Sequence, residues 1–157
     1  MGHVFADIEL SNPRKPDLDP ICVKALADTG ALMCIPEHTA LQLKLKTESI
    51  REVSVADGRS MNVPYVGPIR VGFGKRSCFV GALVLGDEAL LGAVPMEDMD
   101  LVIAPGRRKI SVNPASPNIP HARVKPLRRR KSQQDYRRVI EEANKIKSDQ
   151  APQIAQK

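Results

Sequence analysis

Between Val4 and Val112 the chain is a succession of short apolar segments, each halted within a few residues by proline, glycine or an Asp-Gly pair. Segments this short bury little on their own, so they reach a stable state by pairing side by side as strands. Val4 to Leu10 alternates in part and is ended by Ser11-Asn12-Pro13-Arg14-Lys15-Pro16. Ile21 to Ala27 is nearly continuous in apolar residues, the pattern of a buried strand. Pro36 to Leu45 reads as a short helix. Glu52 to Val63 alternates around Asp57-Gly58, the strongest hairpin signal in the chain. Val66 to Phe73 and Ser77 to Leu85 are two further strands joined by Gly74-Lys75-Arg76. Leu90-Leu91-Gly92 leads into a helical stretch from Val94 to Met99, and Leu101–Ile103 and Lys109–Val112 form a strand pair around Pro105-Gly106. The class expected is all-β, a closed barrel-like lobe or a sandwich, with one short helix late in the body.

After Val112 the character changes. Asn113 to Pro120 holds three prolines and reads as an extended linker. Residues 121–157 carry eleven Lys or Arg against four Asp or Glu, whereas residues 1–120 carry thirteen against fourteen. The net charge of +6 therefore belongs to the tail, and a charge argument for nucleic-acid or acidic-partner contact applies to the 121–157 tail alone. Leu127-Arg128-Arg129-Arg130-Lys131 is its cationic cluster. Ser132 and Asp135 resemble a capping box opening a helix, with Tyr136, Val139, Ile140, Ala143 and Ile146 on one face. The division expected is residues 1–118 as one domain and residues 119–157 as a Pro-containing linker and a basic, partly helical or disordered tail.

Several function classes drop out on composition. No apolar run approaches the roughly 20 residues that span a bilayer, and the first residues carry no secretory-signal pattern, so no membrane role is expected. Cys22, Cys34 and Cys78 are odd in number and contain no C-x-x-C pair, which argues against a disulfide framework or zinc cage. No metal and no cofactor are expected, and the compartment expected is the reducing cytoplasm. With no Trp and five Phe or Tyr, platforms for stacking single-stranded bases are not expected.

The segment with chemical content is Ala25-Leu26-Ala27-Asp28-Thr29-Gly30-Ala31, an apolar strand running directly into Asp-Thr-Gly. Any given tripeptide of common residues arises by chance in about one chain in thirty of this length, so the tripeptide alone decides little. A polar turn, with Asp bonding locally and Gly at positive φ, accounts for it equally well. The context adds weight, because a carboxylate set directly after a buried strand is costly unless it is paired or used.

With that segment, residues 1–118 resemble the retropepsin-like aspartic proteases, in particular short single-domain prokaryotic members. Three features carry the resemblance, in the family's order: Ala27-Asp28-Thr29-Gly30-Ala31, the Gly-bearing hairpin from Val55 to Met61, and Leu90-Leu91-Gly92 before a short helix. Leu32 stands where retroviral members carry a second Asp, Ala93 stands where they carry Arg, and the hairpin lacks their multiple tip glycines.

The resemblance implies an aspartic endopeptidase, a hydrolase acting on a polypeptide substrate. A single Asp-Thr-Gly per chain then implies a homodimer, with Asp28 of each copy forming the catalytic pair. Thr29, Gly30, Ala31, Leu90, Leu91 and Gly92 would support the active-site loop, and Ala56, Asp57, Gly58 and Arg59 would form a flap over the substrate. Two expectations from other classes stand beside it: a peptide-binding or scaffolding protein of the same fold, and a tail-mediated nucleic-acid-binding protein.

Other residues carry weaker signals. Asp57 beside Gly58 reads as a structural turn, and Glu97, Asp98 and Asp100 as acids on a solvated face. His38 reads as a surface residue and Cys34 as a buried apolar one, since no His or Asn pattern accompanies it.

Overall fold

The computed structural model describes residues 2–125 and 133–149. Among the described residues, nine strands, two short α-helices and a single 3-10 turn at Pro105–Arg107 make up the first compact unit, Met1–Ala122. The strands are β1 (Phe5–Ser11), β2 (Ile21–Ala27), β3 (Cys34–Ile35), β4 (Thr47–Ser54), β5 (Ser60–Phe73), β6 (Arg76–Val84), β7 (Ala89–Leu91), β8 (Leu101–Ala104) and β9 (Lys109–Val112). The helices are α1 (Glu37–Gln42) and α2 (Ala93–Asp98).

Six strands close a ring in the order β1-β2-β7-β3-β6-β5, and the ring shuts where Glu9–Ser11 of β1 pair with Arg70–Gly72 of β5. Closure leaves these strands no free edge. β1 shows the reason such a sequence folds this way: Ala6, Ile8 and Leu10 point into the core while Phe5, Asp7 and Glu9 face out. The core is completed by Met33, Ile35, Ile69, Leu91 and Met99, all essentially without exposure. β4 lies outside the ring, paired only with the first half of β5. β8 and β9 form a separate two-stranded sheet. No helix among the described residues is long and apolar enough to cross a membrane.

Within the sheets the structure departs from the sequence expectations in four places. β5 is one strand running from Ser60 through Phe73, not two, because the break at Gly67-Pro68 is a bulge that shifts the pairing with β6 between Val66 and Ile69. A proline lacks the N–H that a ladder needs, and a bulge is where a strand accommodates one. β4 starts at Thr47 rather than Glu52; nearly all of it is exposed, so no alternating pattern marks its first turn of residues. β2 is not buried on both faces, since Cys22 and Lys24 are exposed while Ala25 is fully buried. β3 is only two residues long and carried no signal of its own.

The segment after Val112 is not a free linker. It folds back onto Asp100: Asn113 donates from its backbone N–H to the Asp100 carbonyl at 3.0 Å and from Nδ2 to Oδ1 at 2.9 Å. The Ser116 hydroxyl and the His121 N–H donate to Oδ2, the latter at 3.0 Å. Arg76, only 5% exposed, donates to the carbonyls of Met99 and Asp100 at 2.8 and 2.7 Å and also to that of Ser116. Asp100 is thus a half-buried anchor and not an acid on a solvated face.

The second compact unit, Arg123–Lys157, contains α3 (Gln133–Asp149). Its polar face includes an i,i+4 ion pair, Arg137 Nε to Glu141 Oε1 at 2.8 Å. The cationic run Leu127–Lys131 and the capping residue Ser132 lie outside the described residues.

Candidate active site

β2 and β7 run parallel, with Ala25, Leu26 and Ala27 opposite Ala89, Leu90 and Leu91. That register sets the start of the loop after β2. The Ala27 N–H donates to the Val4 carbonyl at 2.8 Å, and the Asp28 N–H donates to the Leu91 carbonyl at 3.0 Å. The loop then turns on its own acid: the Gly30 N–H donates to Asp28 Oδ1 at 2.9 Å, and the Ala31 N–H to the Asp28 carbonyl at 3.3 Å. Ala31 in turn accepts from the Ala93 N–H at 3.0 Å, which ties the loop to the first residue of α2.

Gly92 makes this seat fit. A Cβ there would sit 2.5 Å from the Ala31 oxygen and the Leu32 carbonyl carbon, and 2.6 Å from the Met33 nitrogen. These are backbone atoms of the loop, and they have no room to yield. Beneath them Leu91 is fully buried, and Leu90 lies opposite Cys34 of β3. The structure therefore brings Asp28, Thr29, Gly30, Ala31, Leu90, Leu91 and Gly92 into one assembly, although they are far apart in sequence.

Asp28, Thr29 and Gly30 are all exposed. The cost of burying a carboxylate, which the sequence suggested, is not incurred within one chain, because β2 ends and the loop emerges into solvent. Leu32, two residues after Gly30, and Val94, next to the Ala93 that bonds Ala31, are 47% and 48% exposed and leave apolar surface on this assembly.

Cys34 lies just beyond the loop. Burial pushes its thiol above the ordinary value, and the negative charge of Asp28 pushes it the same way. Its sulfur donates to the Leu32 carbonyl at 3.5 Å. A thiol held protonated is a poor nucleophile, and Cys34 serves as a small apolar residue. With Val63 and Leu83 it forms a second apolar cluster, against which Val53, Tyr65, Leu85 and Leu90 pack.

That cluster is what connects the loop to the β4–β5 hairpin, through Val53 on one arm and Val63 and Tyr65 on the other. It had no sequence signal, because its members come from five strands or their ends. Gly58 takes φ +83° in the turn, with its N–H donating to the Val55 carbonyl at 2.9 Å. Asp57 is occupied by Arg59, which donates from its backbone N–H at 3.0 Å and from Nε at 2.7 Å. The Arg59 side chain, and then its N–H, hold the Asp57 carboxyl below the ordinary range. Asp57 is thus a turn residue, and Ala56 to Arg59 are exposed. Arg51 lies 3.9 Å above the Tyr65 ring and braces the hairpin base.

His38, Glu97 and Asp98 are exposed and outside this assembly. Among the described residues, no three His, Cys, Asp or Glu side chains converge as metal ligands do. No protein-family model matches the chain, and no curated protein matches it.

Proposed function

We propose that the protein is a retropepsin-like aspartic endopeptidase that works as a homodimer, with Asp28 of each copy supplying one carboxyl group. One observation carries the reading: an exposed Asp-Thr-Gly loop that leaves a barrel strand, turns on its own carboxylate and is seated on a Leu-Leu-Gly strand where only glycine fits. That seat supports the reading because it fixes the backbone on both sides of a solvent-facing acid, as a positioned acid–base group requires.

Hydrolysis of an amide without metal or covalent intermediate needs one group to take a proton from water and another to protonate the carbonyl oxygen. Two carboxyl groups about 3 Å apart meet both needs by sharing one proton. One chain holds one such loop, so the second carboxyl comes from a second copy across a two-fold axis. The exposed Leu32 and Val94 of the same assembly would supply apolar surface for that contact or for substrate. Thr29 would bond across the axis and fix the two carboxylates. The β4–β5 hairpin, whose β4 arm lies outside the closed ring, would close over a bound polypeptide and exclude water. Three free cysteines, two of them buried, suit a reducing compartment such as the cytoplasm.

The test is cleavage of a peptide library by the wild-type chain and by Asp28→Asn. The wild type should cut and the variant should fall at least about a hundredfold, the usual cost of losing an acid–base pair. Equal rates in the two proteins would remove Asp28 from the chemistry. Peptide binding without cleavage by the wild type would leave the scaffolding reading in its place.

A further inference from the structure

We infer that α3 is a self-association element, which pairs in parallel with α3 of a second copy of this chain. The helix has 17 residues, close to the length below which a helix in water is marginal without a partner. Tyr136, Val139, Ala143 and Ile146 recur at alternating spacings of three and four, the spacing of a two-stranded coiled-coil seam, and Ile140 flanks it. Val139 and Ile146 are 68% and 56% exposed, a large apolar area for a helix otherwise covered in charge.

Charge selects the occupant. Within α3, Arg137, Arg138, Lys145 and Lys147 are balanced by Asp135, Glu141, Glu142 and Asp149. The excess basic charge of the tail lies before α3, at residues 123–131, so the polar face of the helix itself is neutral and lacks the basic character that favours nucleic acid or an anionic membrane. A second α3 is complementary instead. In a parallel pair whose seam is the four residues above, Glu142 precedes the seam and Lys147 follows it one turn on, so Glu142 of each copy faces Lys147 of the other. Both symmetry-related contacts are attractive. The antiparallel pairing sets Glu142 against Glu142 and loses them.

The pairing has a consequence for the Asp28 site. Two copies joined at the loop carry two α3 helices in one particle, and pairing of the second contact is then effectively intramolecular. α3 would thereby lower the concentration at which the dimer forms. The inference rests on the homodimer reading for that consequence, but its test needs no substrate.

Sedimentation of the full chain over a dilution series reads it directly. Glu142→Lys and Lys147→Glu should each raise the dimer dissociation constant about tenfold, since each turns two attractions into two repulsions. The double swap should return to within about threefold of wild type, because the complementarity is rebuilt with the signs exchanged. Ala143→Cys in a Cys22→Ser background should form an interchain disulfide on mild oxidation, as seam positions meet their own counterparts in a parallel register. No loss in either single swap, or no recovery in the double, overturns the inference. So does the absence of the disulfide, or salt-sensitive binding of a nucleic acid by α3 with the sedimentation unchanged. Asp28→Asn should sediment like wild type at concentrations that saturate the dimer, so failure of the catalytic reading and failure of this one are separate results.

Discussion

At the scale of single residues, Asp28 and Asp100 divide the two uses a carboxylate has in this fold. Asp28 faces solvent and accepts one N–H from its own loop, which leaves its remaining lone pairs open to solvent and, in the proposed reaction, to the second carboxyl and the attacking water. Asp100 has its lone pairs committed to Ser116, Asn113 and the His121 N–H, with Arg76 beside it, and these lower it from 3.8 to about 2. Its folded value is depressed, so the stability it contributes is present above pH of about 4, where the unfolded chain is also ionised. That contribution is lost as pH falls through about 2. Melting temperature should therefore decline between roughly pH 4 and pH 2. In Asp100→Asn it should be lower at neutral pH and flatter through that window. A variant as steep as wild type between those pH values would place the acid sensitivity elsewhere.

Among the elements, the β4–β5 hairpin and the strap after β9 are where sequence and packing disagree most. The hairpin tip is exposed and its turn needs Gly58 at φ +83°, a conformation that costs a β-branched residue about 1–2 kcal/mol. Nothing lies within 4 Å of the position a side chain would take, so the strain stays in the turn and does not reach the core. Gly58→Val should lower peptide turnover about tenfold while melting temperature falls by about 3–10 °C and the protein stays folded. Unchanged turnover would mean the lid is another segment.

The strap behaves oppositely. Arg76 is buried and loses the Ser116 carbonyl if the chain ends before it, and a buried charged donor left short of an acceptor is destabilising. Truncation after Ala122 should leave the melting temperature within about 2 °C of the full chain. Truncation after Asn113 should lower it by about 5 °C or more. Equal melting of the two truncations would show that the strap contributes nothing to the barrel.

For the whole molecule, one closed barrel carries one Asp-Thr-Gly loop, and the proposed chemistry needs two. Specific activity should consequently fall on dilution through the dimer dissociation constant, and mixing with excess Asp28→Asn should suppress it by forming mixed pairs. A pair sharing one proton is inactive when fully protonated or fully ionised, so the rate should be bell-shaped in pH. Specific activity independent of concentration down to the nanomolar range, with a monomer in sedimentation, would remove the shared site.

What a linear reading delivered here was everything governed by local chemistry. Short alternating runs and Asp57-Gly58 marked the strands and the hairpin, because a side-chain period of two and a turn needing positive φ are written in neighbouring residues. Asp28-Thr29-Gly30 and Leu90-Leu91-Gly92 were each visible for the same reason. That they form one seat was not, since it depends on the parallel register of β2 and β7 and on a 2.5 Å clearance at Gly92 between segments some sixty residues apart. The Asp100 anchor escaped a linear reading altogether. Arg76, Asp100, Ser116 and His121 are ordinary polar residues in polar stretches, and only the folded chain shows that they share one site. Burial and long-range hydrogen bonds are properties of where the chain returns to itself, and in a closed barrel most returns join residues that the sequence holds far apart.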